Sequence, residues 1–355
     1  MADYREEFQK LLESTFIPSV GDMAKIDKEM NSFLENVFQY IPTKLYRYRK
    51  CNHHNIDSVR KGTIYVCNAN RFSDKYDSRV FVDSDKIDKE LTLGLKSAIY
   101  NLLIKAVKDR NPNLIPESAS KVCYLMECGL SEQEIADIII DEDYADFIKE
   151  KVEEMKKREV RFRNNNNTAK LGCFTESVQS KFMWDYYADG YSGFALEYNL
   201  KEFIYKNSIN SNFFKYVFPV IYSDKMPDVT DDDSYAYMKE KCLKEDWMKR
   251  WAPFYQSIPL NAMFLFKPYL YKDKAEYSHE REWRMICYDD NKEDFSLIPD
   301  MNCLKAIYYG PEISSENKSE LHEIAKARGI TEYNVAFDLD SRNYNLKLER
   351  EIIVD

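Results

Sequence analysis

The sequence predicts an α+β protein, with N-terminal helices over residues 1–43 and a single α+β domain over residues 44–355 that has a mixed or antiparallel β core and a helical insertion over 86–163. Three observations predict it. Short alternating or β-branched and aromatic runs recur at 44–49, 63–67, 171–177, 193–198, 213–222, 280–288, 304–310, 333–338 and 346–354, each the length of one strand. Between the second and third runs, Ile87, Leu91, Leu95, Ile99, Leu102, Leu103, Ala106 and Val107 repeat at three- and four-residue steps, the period of a helix. The chain has 355 residues and no internal repeat or low-complexity tract, which leaves ample apolar material for one large core.

Phe8, Leu11 and Leu12, then Met30, Phe33, Leu34 and Val37, fall at helical spacing and predict two amphipathic helices packed on the main domain. In the strand at 44–49, alternation puts Leu45, Arg47 and Arg49 on one side. A short helix over 52–60 stops at Gly62, which can take the left-handed capping conformation. The strand at 63–67 runs into a polar loop at 70–77. Within the insertion, Pro112 and Pro116 break the helical pattern, and Ser131 with Glu134 forms a capping-box signature for a helical stretch ending near Arg163. Residues 164–167 read as a polar hinge. Beyond it come a strand at 171–177, a helix at 181–188, strands at 193–198 and 213–222, and a solvated acidic loop at 228–233. An aromatic-rich, mostly helical stretch over 235–277 is punctuated by Pro253, Pro259 and Pro268. A helix over 315–328 and two strands close the chain.

Composition narrows the function. A net charge of −10 and a pI near 5.2 oppose broad attraction to nucleic acid or acidic membrane. The basic run at 156–163 reads as a solvated helix end. With no run of 18 apolar residues and no basic start followed by an apolar segment, the expectation is a cytoplasmic chain with no membrane partner. The eight cysteines contain no C-x-x-C and suit reduced core thiols, and the four histidines lack any metal or nucleophile-activating motif, so no metal site is expected. Neither G-x-x-x-x-G-K-[ST] nor G-x-G-x-x-G occurs.

The most informative stretch is 280–288. Read as a strand, it places Glu280, Glu282 and Arg284 on one face and Trp283, Met285 and Cys287 on the other. Two carboxylates and a guanidinium in line beside an apolar strip are paired, solvated, or lining a site.

Six short phrases, in order, resemble the bacterial domain-of-unknown-function 2971 family: Leu45-Tyr46-Arg47-Tyr48-Arg49, the loop from Arg71 to Asp77, Cys173-Phe174-Thr175-Glu176-Ser177, Met183-Trp184 through Tyr187 to Gly193, Glu280-Arg281-Glu282-Trp283-Arg284, and Ile307-Tyr308-Tyr309-Gly310-Pro311. The resemblance spans residues 44–330 and departs in the loop, where Ser73 and Lys75 replace the usual Asn and Pro. The family name implies no activity. A second resemblance does: Arg47, Thr175-Glu176-Ser177 and Glu280-Arg281-Glu282 occur in the order of the Arg, Ser/Thr-x-Ser and Glu-x-Glu elements of ADP-ribosyltransferases of the arginine-serine-glutamate type.

That second resemblance implies an ADP-ribosyltransferase-like β core, NAD as co-substrate and an NAD-dependent transferase or NAD-cleaving activity, in a bacterial toxin or phage-defence effector. Glu282 would stabilise the oxocarbenium-like state formed when the nicotinamide–ribose bond breaks, as in glycoside hydrolysis. Arg47 would hold the pyrophosphate. Ser177 or Thr175 would position Glu282, Glu280 would orient or deprotonate a protein or nucleic-acid acceptor, and Trp184 or Tyr187 would stack on nicotinamide. Two other readings stand beside it. Asp74, Asp77, Glu280 and Glu282 could hold Mg²⁺ in a nuclease, although Arg281 and Trp283-Arg284 replace the usual Glu-x-Lys pattern. A non-enzymatic binding or sensing module of a defence system, meeting its partner through the aromatic stretch at 235–277, is the other. Arg47 and Glu282 would then be no more than a structural ion pair.

Overall fold

The computed structural model describes residues 4–18, 21–111, 114–163, 169–208, 215–230, 261–288 and 293–350. Its centre is a ten-stranded mixed sheet. The strands are β1 (Leu45–Arg49), β2 (Thr63–Asn68), β3 (Lys170–Thr175), β4 (Phe194–Tyr198), β5 (Lys215–Pro219), β8 (Glu282–Cys287), β9 (Phe295–Pro299), β10 (Leu304–Tyr309), β11 (Thr331–Phe337) and β12 (Leu346–Arg350), while β6 (Ile221–Ser223) and β7 (Tyr271–Asp273) form a separate parallel pair. Among the described residues of the large sheet, only β10 and β11 run parallel. The α+β class and mixed sheet agree with the sequence reading.

One feature of the sheet makes room for a site. Along one edge β3 pairs with β8 through its whole length, from Lys170 opposite Cys287 to Thr175 opposite Glu282. Along its other edge it meets β1 only at Thr175 and β2 only at Leu171 and Lys170. The sheet therefore forks at β3, and residues 172–174 face the gap between β1 and β2.

The helices form where the sequence supplies their ends. Among them, α1 (Tyr4–Ser14) and α2 (Met23–Phe38) precede the sheet, with the Asp22 carboxylate accepting from the Ala24 amide. Next, α3 (His53–Lys61) is capped by Asn52 and closed by Gly62 at φ 65°. Then α4 (Ser84–Lys108), α5 (Ala119–Glu127), α6 (Glu132–Ile139) and α7 (Ala145–Arg163) make the insertion, with the expected Ser131–Glu134 capping box at α6 and a π-helical turn joining α6 to α7. After β3 come α8 (Lys181–Tyr187), α9 (Leu200–Ser208), α10 (Lys274–Tyr277) and α11 (Ser315–Arg328).

Three apolar layers cover the sheet. On one, Phe174, Leu196, Trp283 and Ile307 pack with Ile56, Phe203 and Leu321 of the helices. On another, Phe8 and Phe33 of the N-terminal helices meet Phe218 and Ile286. Tyr48, Trp184, Ala195 and Tyr308 form a third. The insertion has its own core, in which Leu95, Ile99, Leu103, Ile135 and Ile139 are buried among themselves.

Several expectations need correction. The strand at 280–288 starts only at Glu282, because Ser278–Glu280 is a 3₁₀ turn and Arg281 is left-handed at φ 46°. The run at 213–222 splits into β5 and β6, with different partners, after Pro219, which has no N–H to continue the ladder. Of the stretch expected to be mostly helical and broken by prolines, residues 261–277 are short 3₁₀ turns, β7 and the one-turn α10, with Pro268 opening a 3₁₀ turn. Helix α9 and strand β9 have no counterpart in the sequence reading. The hinge at 164–167, the end of the acidic loop and the aromatic stretch up to residue 260 lie outside the described residues. Among the described residues no disulfide joins two cysteines, and no helix is long and apolar enough to cross a membrane.

Candidate active site

A cavity of about 390 Å³ opens at the fork, within the range of small-molecule pockets (about 300–1,000 Å³). Strand β1 contributes Tyr46 through Arg49, β2 contributes Tyr65 and Cys67, and β3 contributes Leu171, Cys173 and Phe174. Glu282 and Arg284 of β8 form the floor's charged end, with Glu280 and Lys272 next to them. The loop at 71–77 closes one side. A second cavity of about 580 Å³ adjoins it, sharing Asp74 and Lys272.

One wall is a buried network of opposite charges. Arg284, fully buried, donates Nε to Glu282 Oε1 at 2.9 Å and Nη1 and Nη2 to the two Asp77 oxygens at 2.8 and 2.5 Å. Its remaining donors reach Glu282 Oε2 and the Tyr269 carbonyl, so the whole guanidinium fork is satisfied. Lys272 Nζ bridges Glu280 Oε2 at 2.7 Å and Glu282 Oε2 at 3.1 Å. Tyr187 donates its hydroxyl to Glu280 Oε1 at 2.7 Å. Three carboxylates thus share two cations.

Burial pushes the Glu282 carboxyl up, but Arg284 and Lys272 outweigh it and hold the pKa down at about 2. Glu282 is ionised at neutral pH. The Cys173 thiol is driven the other way, raised well above its ordinary value by burial and by Glu282, so it is no thiolate nucleophile. Burial, then Glu280, raises the Tyr187 hydroxyl, which stays protonated and donating.

The position of Glu282 is set from behind. Thr175 Oγ1 donates to the Glu280 carbonyl at 2.6 Å, and Glu176 accepts from Trp283 Nε1 at 2.9 Å and from Arg281 Nε at 2.7 Å. Arg5 of α1, itself buried, pairs with Glu176 at 2.7 Å and donates to the carbonyls of Val220 and Glu282. The left-handed Arg281 reverses the chain between the two glutamates. It lets Glu280 reach the cavity from a turn while Glu282 reaches it from a strand.

The opposite wall is basic. Arg47 and Arg49 leave β1 two residues apart, and Arg71 ends the 3₁₀ turn that follows β2. Arg47 is 8% exposed, lies with Cζ 5.4 Å from the centre of the Phe174 ring, and has no hydrogen-bond partner for Nε. Burial lowers its pKa. Burial and the charge of Arg47 push Arg49 down to about 9, still a cation at neutral pH. The pairing of Arg47 with Glu282 that a purely structural role required is absent.

Of the residues singled out from sequence, Arg47, Tyr187, Glu280 and Glu282 converge on this cavity. Thr175 is buried behind it and holds Glu280 by its backbone. Ser177 does not line it: its hydroxyl caps the Gln179 amide and its carbonyl accepts from Tyr48. Trp184 does not line it either, being fully buried with its indole N–H on the Val178 carbonyl. After Thr175 the strand ends, so alternation no longer carries Ser177 to the Thr175 face. Lys272 escaped sequence reasoning altogether, since no motif surrounds it. Among the described residues no three His, Cys, Asp or Glu side chains are arranged to hold a metal.

A family model described as "Protein of unknown function (DUF2971)" matches residues 183–285, the segment that carries Tyr187, Lys272, Glu280, Glu282 and Arg284. The match is shorter than the 44–330 over which the six phrases run. No curated protein and no solved structure matches the chain, and the ADP-ribosyltransferase resemblance gains no support from these comparisons.

Proposed function

We propose that the protein cleaves the nicotinamide–ribose bond of NAD and passes ADP-ribose to water or to a protein or nucleic-acid acceptor, with the forked sheet serving as an ADP-ribosyltransferase-like core. The observation that carries this reading is the ionised Glu282 carboxylate facing a cavity whose other wall holds a buried Arg47 with no hydrogen-bond partner for its Nε.

In this reading the ribose C1′–N bond breaks with its electron pair leaving on neutral nicotinamide. Positive charge then grows on the ribose, and the fixed Glu282 anion stabilises it without reorganising. Glu280, tied to Lys272 and Tyr187, receives the proton of the attacking hydroxyl or water. Tyr187 is a wall of the nicotinamide end, while Ser177 and Trp184 have no direct role. The Mg²⁺-nuclease reading is weaker, because Asp77, Glu280 and Glu282 already have Arg284 or Lys272 where a metal would sit. An enzyme that drains NAD or modifies an essential acceptor would suit a toxin or phage-defence effector.

Nicotinamide release from NAD, measured for wild type and Glu282→Gln with and without cell lysate, tests the reading. Release by wild type and its loss in the variant are expected, and a stimulation by lysate identifies transfer over hydrolysis. Equal release by both proteins, or none from a folded wild type that also fails to bind NAD, would leave a binding module as the better description.

A further inference from the structure

The polar contacts of α1 go further than packing requires. Phe8 and Leu12 are fully buried, and Phe8 stacks on Phe218 of β5 with ring centres 5.8 Å apart, so an apolar face already attaches the helix. Yet α1 also buries a charge. Arg5 pairs with Glu176 at 2.7 Å and donates to the carbonyls of Val220 at 3.1 Å and Glu282 at 3.2 Å. A buried ion pair stabilises weakly, because desolvation offsets much of its attraction; what it sets well is position.

Position is what the neighbouring contacts share. Glu176 also accepts from the Tyr4 hydroxyl, from Arg281 and from the Trp283 indole N–H, the last two being the residues on either side of Glu282. The Tyr4 ring stacks on Trp283 with centres 5.8 Å apart. Arg281 stands in the left-handed region at φ 46°, which an arginine keeps where its surroundings enforce it. The Glu282 backbone is held as well: its amide donates to the Tyr222 hydroxyl at 2.6 Å, and its carbonyl accepts from the Val220 amide in addition to Arg5. Through Glu176 and Arg5, then, α1 touches both the turn between the two glutamates and the backbone of the second.

We infer that Arg5 and Glu176 are positioning residues and that α1 is the latch of the site: Glu280 and Glu282 face the cavity together only while α1 is docked. With α1 undocked, Glu176 loses Tyr4 and Arg5, the Glu282 carbonyl loses one of its donors, and the Arg281 turn is free to relax. The sheet keeps its strands while the two carboxylates lose their common orientation. The effect on a reaction rests on the NAD reading; the hold on Glu282 is measured without NAD.

The test compares the full chain as wild type, Arg5→Met, Leu12→Ala and Leu321→Ala. Leu12→Ala weakens the docking of α1 seven residues away from Arg5, while Leu321→Ala lowers stability in the core beneath the other face of the sheet. Amide hydrogen exchange at Glu282, taken relative to Leu196 in β4, should quicken about tenfold or more in Arg5→Met and in Leu12→Ala, and not in Leu321→Ala. Nicotinamide release by Arg5→Met should lose about tenfold or more in kcat with KM for NAD within about twofold of wild type. Arg5→Lys keeps a charge for Glu176 without the fork that also reaches two carbonyls, so it should recover part of that loss. A wild-type exchange ratio in Arg5→Met or in Leu12→Ala would overturn the inference, as would a Leu321→Ala that raises the ratio as far. A wild type that releases no nicotinamide removes the NAD reading and leaves the exchange ratio to decide the latch.

Discussion

The site depends on keeping Glu282 ionised in a buried place, and Arg284 and Lys272 are what keep it so. Because the Glu282 pKa falls from 4.5 to about 2 on folding, the native state binds fewer protons than the unfolded chain between those values. Its contribution to stability is complete above about pH 4.5 and is lost as the pH falls toward 2. Urea midpoints at pH 7, 4 and 3 should show this decline, and Glu282→Gln should flatten it. Lys272→Met leaves Glu280 and Glu282 side by side without their shared cation. It should cost about 3 kcal/mol or more in the same measurement, as breaking a buried charge network does. At this scale the sequence showed the residues that alternate along strands, Arg47, Glu282 and Arg284, because a two-residue period is local. It could not show Lys272, which reaches the site through the pairing of β7 with β6, or that Trp184 turns inward to the Val178 carbonyl.

At the scale of elements, two glycines explain phrases that sequence alone could only mark. A Cβ on Gly193 would lie 2.2 Å from the Arg49 carbonyl oxygen, and one on Gly310 would lie 2.1 Å from that of Tyr191. Both are points where β1, β4 and β10 meet the turn after α8 with no room for a side chain. Gly310→Ala should therefore cost about 2 kcal/mol, read by chemical denaturation. Gly193→Ala should cost a similar amount and also weaken NAD binding, since it displaces the backbone that carries Arg49. Strand and helix positions were largely legible from period and caps. The break at Arg281 was not, because a left-handed arginine carries no signal of its own and the flanking glutamates continue the alternation.

At the scale of the whole molecule, the α4–α7 insertion is a second core whose buried residues pack on one another, away from the forked sheet. Leu95→Ala, which removes part of a side chain only 1% exposed, should lower the stability of that unit by about 2–5 kcal/mol. Calorimetry should then resolve an early transition for the insertion, with the ligand-dependent stabilisation of the cavity unchanged. The insertion was legible because helical period persists over many residues. The fork was not, because pairing one edge of β3 with both β1 and β2 is a long-range choice that no local pattern records. It is the fork that brings Arg47 and Glu282 to one cavity, and the central claim is that NAD lies across it. A crystal structure of Glu282→Gln soaked with NAD tests this most directly. The account predicts the nicotinamide ribose beside residue 282 and Glu280, with the pyrophosphate on Arg47 and Arg49. NAD bound elsewhere on the chain, or an empty cavity at saturating NAD, would contradict it.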